Sequence, residues 1–329
     1  MKPYVGALLA GALLWTTVPA AAEPLKFKVA TIAPADSPWD DALKEFKTKV
    51  NKQTNGQLVP LLYMGGRLGS EAEMVKQVQF GSTECVGAST GSFASLVPGL
   101  DVFELPFLWD SPEQAAEALA KLEPYFNAEF EKKGMHLVGW SENGWRNFMT
   151  EGKPIATIDD LKGLKIRSQE NPMHMAFWQS LGAKPVPLPT TEFEKAMKSG
   201  LVQGGDNSVV LTAAFGWTNA IKSFTLSRHI YQPAVVVCNK AWVEKLPIDE
   251  RKIIDGEMEH LQREVAEKLA ASEREFLEMF KTQGIVVETL TPEARKAFTA
   301  ATAGVRQKFA EKIPPQVVKI VEAVRGRKI

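Results

Sequence analysis

The sequence predicts an α/β protein made of two domains. Three observations carry this. Strand and helix signals alternate through the first half, the chain is long enough for two cores, and one helical pattern near the C-terminus exceeds thirty residues.

A processing segment comes first. Lys2 gives a positive start, Tyr4 to Val18 is apolar, and Ala20-Ala21-Ala22 forms a small-residue cleavage signature ahead of Glu23. The apolar run is too short to span a bilayer, and no Cys stands at the cleavage point for a lipid anchor. We therefore expect export, with residues 1–22 as a signal peptide cleaved after Ala22. Removing 22 of 329 residues leaves 307, enough for two domains with separate cores.

The opening alternates Leu25, Phe27 and Val29 on one face, as a strand does. Asp36-Ser37-Pro38 then starts a helix carrying Trp39, Leu43, Phe46 and Val50. Asn55-Gly56 ends it, and Leu58 to Leu62 reads as a second strand. The Gly-rich turn Gly65-Gly66-Arg67-Leu68-Gly69 leads into a helix with Met74, Val75 and Val78. A strand at Cys85 and a helix from Ser111-Pro112-Glu113 follow. This β-α-β-α order predicts a largely parallel sheet with covering helices.

A second set begins near Met135. Short strands are expected at His136 to Trp140, Leu164 to Ser168, Leu201 to Gly205 and Phe224 to Ser227. A helix with Met173, Phe177 and Leu181 lies between the second and third. Ala234 to Cys238 is continuously apolar, as a strand buried on both faces requires. From Asp249 to Thr282, Ile254, Met258, Leu261, Val265 and Leu269 recur at helical spacing. Such length is unusual for one compact domain and suits a helix that ties two lobes together. Thr291-Pro292-Glu293 opens a further helix, and Pro314-Pro315 precedes the last.

Composition excludes several functions. Lys+Arg and Asp+Glu both total 39, so no global field attracts nucleic acid or anionic membrane. The mature chain has no later apolar run of about 18 residues, so a soluble protein is expected. Cys85 and Cys238 both sit in apolar strand-like runs, which favours two separate buried thiols over a disulfide. The four histidines, His136, His174, His229 and His260, are scattered without H-x-x-x-H or C-x-x-C spacing. We expect them to be ordinary surface or core residues, with no metal and no cofactor.

Gly87-Ala88-Ser89-Thr90-Gly91 matches the G-x-S-x-G pattern of hydrolases, and Asp206 with His229 or His260 could complete a triad. The helix opening after it is weak and no HGGG-like oxyanion segment precedes it. A polar rim of a ligand site is the better reading, with a serine hydrolase using Ser89 as the alternative. Arg167 closes the segment Leu161-Lys162-Gly163-Leu164-Lys165-Ile166-Arg167, at the strand end where open α/β sheets bind ligands. There its planar fork can hold a carboxylate through two parallel charge-assisted hydrogen bonds. An ordinary surface arginine is the competing outcome on chemistry alone.

Several further strings surround it. They include Val102-Phe103-Glu104-Leu105-Pro106-Phe107-Leu108, Gly144-Trp145-Arg146, Leu181-Gly182-Ala183-Lys184-Pro185-Val186-Pro187, Gly204-Gly205-Asp206-Asn207 and Asn239-Lys240-Ala241-Trp242. Together with the Gly-rich turn and the Arg167 segment, they resemble the solute-binding component of tripartite ATP-independent periplasmic (TRAP) transporters, the dicarboxylate-type family. The strings occur in family order across nearly the whole mature chain.

The resemblance implies a two-lobed periplasmic binding protein fold with mainly parallel sheets, crossing strands and a long helix spanning both lobes. We expect lobe I at 23–143 plus 233–272 and lobe II at 144–232 plus 273–329. It implies a periplasmic monomer, not an enzyme, which closes on a small organic acid and delivers it to membrane subunits. Ligand sensing for a membrane receptor, on the same fold, is a third reading. By resemblance Arg167 forms the principal salt bridge to the ligand, Arg146 is a second arginine near the site, and Asn207 hydrogen-bonds the ligand.

Thr190 stands where many members have an aromatic, and Asp206 replaces the usual Glu. Ser89 and Ser92 stand where sialate-binding members carry charges, which argues against sialate. Ser89 and Thr90 are candidates to meet ligand hydroxyls, which points to a sugar acid or a hydroxy- or keto-acid. Trp39 and Trp217 are candidate aromatic walls, with lobe packing as the equal alternative.

Overall fold

The computed structural model describes residues 23–329, so the expected signal peptide at 1–22 lies outside the described residues. The strands are β1 (Leu25–Thr31), β2 (Leu58–Tyr63), β3 (Cys85–Ser89), β4 (Met135–Thr150), β5 (Lys165–Ser168), β6 (Lys184–Pro187), β7 (Gly204–Asn207), β8 (Ser223–Asn239) and β9 (Val286–Thr289). They join in the order β2-β1-β3-β8-β4-β7-β5-β6, with β9 also beside β8. The outer pairs β1–β2, β1–β3, β5–β6 and β5–β7 are parallel. The centre is antiparallel, through β3–β8, β4–β8 and β4–β7.

The centre rests on two long strands. β4 and β8 pair along almost their whole length, with register shifts between Leu137 and Gly139, Glu142 and Gly144, and Arg146 and Phe148. Such bulges bend and twist a strand, which lets one pair of strands serve two separate packing layers. The short strands expected at His136 and Phe224 are thus the ends of longer ones.

Helix starts follow local capping chemistry. Ser37 and Ser111 each cap a helix with Pro at its first turn, Pro38–Gln53 and Pro112–Lys132. Ser70 and Glu73 form a reciprocal capping box on Glu71–Phe80. The long helix, Ile248–Thr282, packs Ile254, Met258, Leu261, Val265 and Leu269 with the Pro38–Gln53 helix in one core cluster. Its end puts Phe280 into another cluster, with Phe193, Trp217 and Phe224. It therefore touches both halves of the molecule. The last helix, Pro315–Arg325, seats Val317 and Val321 among Leu119, Leu122 and Phe126. The expected boundaries assign that segment to lobe II and the Pro112–Lys132 helix it packs against to lobe I.

The cysteines correct the sequence reading. Both are buried as expected, but β3 and β8 pair Cys85 directly with Cys238, and the two form a disulfide with Cα atoms 4.0 Å apart. Antiparallel register, which runs between residues far apart in sequence, decides this. Strand β7 also begins later than expected, at Gly204. A side chain on Gly204 would strike the Met149 carbonyl, and one on Gly205 would lie 2.7 Å from the Phe193 ring. The glycines permit that close approach. Among the described residues, no helix is long and apolar enough to cross a membrane.

Candidate ligand-binding site

Strand β5 delivers Arg167 at its C-terminal end, and Asn171 then caps the Pro172–Ser180 helix through Met173 N and His174 N. The chain therefore turns sharply just after the arginine. Arg167 is 2% exposed and lines a cavity of about 210 Å³ with Glu71, Ser92, Asp101, Gln169, Glu170, Thr190 and Lys312, among others. Its Nε donates to Leu188 O at 2.9 Å and its Nη2 to Thr190 Oγ1 at 3.1 Å. Among the described residues no carboxylate lies in ion-pair contact with it. Burial and then the nearby Arg146 push its pKa down to about 10, so the charge persists at neutral pH without a counter-ion. Such a site stabilises an anion.

Arg146, on β4, differs. Its Nε bonds Asp206 Oδ2 at 2.6 Å, its Nη2 the Asp206 carbonyl at 2.8 Å, and its Nη1 Gln232 Oε1 at 2.8 Å. Despite burial, Asp206 holds the guanidinium above its usual pKa and is itself held well below the carboxylate range by Arg146 and His229. Arg146 thus has its partners within the fold. Gln232 in turn donates to Gln169 Oε1 at 2.9 Å and to Glu104 Oε2 at 2.7 Å. Gln169 reaches Ser89 Oγ at 2.8 Å. One hydrogen-bond chain therefore runs from β4 through β8 to the end of β3.

Ser89 sits where that chain meets Glu71. Ser89 N and Oγ both donate to the Glu71 carboxylate, at 2.7 and 2.8 Å, and Ser92 Oγ does so at 2.9 Å. Glu71 and Ile32 line both the Arg167 cavity and a second, about 50 Å³, with Trp39, Ser89, Ser141 and Asn143 on its wall. Trp39 also donates its indole N–H to Glu142 O at 3.0 Å.

The remaining candidates lie off these walls. Thr90 is buried, and its hydroxyl bonds Glu104 and Pro233 O. Trp217 is enclosed by Phe193 and Phe215 in a core cluster, so packing rather than a cavity wall accounts for it. Asn207 lies on β7, next to β5, and its Oδ1 takes the Ser208 N–H at 2.9 Å. Sequence reasoning missed Glu71, Gln169 and Asn171. The last two stand within four residues of Arg167, which was the available signal.

A family model described as bacterial extracellular solute-binding protein, family 7 (DctP), matches residues 29–312. The chain belongs to this family. It is a solute-binding protein of the TRAP-transporter type, a non-enzymatic transport component. The 2,3-diketo-L-gulonate-binding periplasmic protein of Escherichia coli is 28% identical over 321 residues, 96% of this chain and 97% of its own. The C4-dicarboxylate-binding periplasmic protein of Rhodobacter capsulatus is 27% identical over 93% of each chain.

Among solved structures, the sugar acid binding protein of Advenella mimigardefordensis in complex with galactonate has a TM-score of 0.89. It is 26% identical and covers 92% of this chain and 98% of that one. The two-lobed mixed α/β architecture with its long helix is therefore that of TRAP solute-binding proteins.

The hydrolase alternative is overturned. Ser89 Oγ meets Glu71, Ser92 and Gln169, and no histidine. His229 is 0% exposed and is engaged by Asp206 and Ser227, and His260 pairs with Glu45.

Proposed function

We propose that this protein captures a sugar acid, a polyhydroxy monocarboxylate, in the periplasm after cleavage behind Ala22, and delivers it to TRAP membrane subunits. The observation that carries the reading is Arg167, a buried cation without a carboxylate partner on a cavity wall. The ligand carboxylate completes its fork. Glu71, Asp101 and Glu170 outnumber Lys312 on the same lining and so disfavour a second carboxylate, while the first two accept hydrogen bonds from ligand hydroxyls. Ser89, Thr190 and Trp39 shape the walls, and Asn207 stands behind them on the strand beside Arg167. Arg146 acts one layer back, through Gln232 and Gln169.

The lobes are 23–143 plus 233–272 and 144–232 plus 273–329, with the final helix seated on lobe I, and the monomer closes around the ligand. Support comes from relatives: the E. coli protein is named for a diketo-gulonate, and the A. mimigardefordensis structure holds galactonate.

A thermal-shift screen tests this. Galactonate or glucuronate at about 100 times Kd should stabilise by about 2.7 kcal/mol. Succinate should shift the melting temperature less at equal concentration. A larger response to succinate would overturn the sugar-acid assignment, and silence from every carboxylate would overturn the whole reading.

A further inference from the structure

We propose that Glu45, His260 and Glu264 form a binding site for a divalent transition-metal ion of the zinc type, clamping the Pro38–Gln53 helix onto the long helix. His260 and Glu264 stand four residues apart on the long helix, so both project from one face. Glu45 faces them from the Pro38–Gln53 helix. Immediately beneath, Phe46, Leu261 and Val265 pack in one core cluster, which fixes the spacing of the two backbones. Preset spacing lowers the cost of assembling ligands.

The donor geometry suits a small ion. One ligand atom from each residue lies within 4.8 Å of the other two, and His260 Nε2 is 3.5 Å from Glu45 Oε1. Donors about 2.0–2.1 Å from one tetrahedral zinc sit roughly 3.4 Å apart. A further sign is Glu264 Oε2, a buried oxygen on a side chain 17% exposed, which has no hydrogen-bond partner among the described residues. A cation would satisfy that acceptor.

Lys49 and Lys268 already pair with Glu45 and Glu264, but each is an i,i+4 partner on its own helix with a partly exposed side chain. Such pairs contribute little and yield to a metal ion. Three protein ligands with one nitrogen leave a position for water. The set disfavours calcium and magnesium, which prefer all-oxygen shells. The pattern lacks paired-histidine spacing because it holds a single histidine and takes its third ligand from another helix.

Calorimetry with zinc chloride on the tag-free mature protein tests the site. The expected result is one zinc per chain with Kd of about 10 μM or tighter. Affinity should fall at least about tenfold in both His260→Gln and Glu264→Gln. It should be unchanged in His136→Gln, whose imidazole pairs with Asp255 in a separate surface groove. Excess calcium should not compete. The melting temperature of each metal-free variant reports its fold, and Glu45→Gln serves as a second ligand deletion if either helix variant is unstable. No saturable binding, or binding that survives His260→Gln or is lost in His136→Gln, overturns the proposal.

Discussion

Arg146 and Arg167 are both buried in the same sheet, yet their surroundings differ in kind. Around Arg146 the fold supplies a carboxylate, a carbonyl and an amide oxygen. Around Arg167 it supplies only a carbonyl and a hydroxyl, both on the turn after β6, and leaves the guanidinium facing a cavity. The first arginine is completed by folding; in the reading proposed above, a ligand completes the second. A binding protein needs both: a rigid pair to hold the crossing strands, and an unsatisfied cation to reward closure.

Breaking the first region should give the largest effect. Arg146→Met leaves Asp206 buried beside His229 without its cation, and should lower unfolding free energy by about 3–5 kcal/mol in urea titrations. A loss below about 1 kcal/mol would mean that the pair contributes little. Arg167→Lys tests the other side. It should leave ligand-free stability nearly unchanged and weaken binding of a responding sugar acid by about 2–5 kcal/mol in calorimetry. An Arg167→Lys protein that binds normally, or unfolds like Arg146→Met, would erase the distinction.

What the sequence revealed of these regions follows the range of the forces involved. Helix starts were legible because Ser37-Pro38, Ser111-Pro112 and Thr291-Pro292 act within one turn. Arg167 was legible as a candidate from its strand end and its matched neighbours. The long crossing strands were not, because the polar stretch Glu142 to Arg146 and its bulges break the alternation that marks a strand. The Cys85–Cys238 bond, the Glu71–Ser89 contact and the Gln169–Gln232 link join residues distant in sequence, through strand register or side-chain packing. Trp39 and Trp217 looked alike in sequence, and only their neighbours separate a cavity wall from a core.

Acid should act oppositely on two groups carried by the crossing strands, the buried His229 and the half-buried Glu142. Burial pushes His229 down to about 4, against the pull of Asp206, so between about pH 6.5 and 4 the unfolded chain binds the extra proton. That contribution to stability is present above pH 6.5 and lost as pH falls. Burial pushes Glu142 up to about 7, although Tyr231 donates a hydrogen bond to it. Between about pH 4.5 and 7 the folded state binds that proton, so its contribution is lost as pH rises. Asp101, raised by burial to about 6, acts in the same sense. Glu142→Gln removes one proton from the folded side. The slope of stability against pH between about 5 and 6 should rise by up to about 1.4 kcal/mol per unit relative to wild type. An unchanged slope would mean that water, not the protein, surrounds the Glu142 carboxylate.

The smallest expected effect asks how much of the Arg167 geometry is set before the ligand arrives. Thr190 is half-buried, lines the cavity, and accepts one guanidinium N–H. Thr190→Val keeps the shape and removes that acceptor, so the fork is aimed by Leu188 O alone. If the hydroxyl orients the fork for two-point capture, binding should weaken by about 0.5–1.5 kcal/mol. The loss should appear equally for every sugar acid, because the carboxylate is common to all. A loss confined to one sugar acid would instead mean that Thr190 reads a ligand hydroxyl and that Leu188 O suffices to aim Arg167.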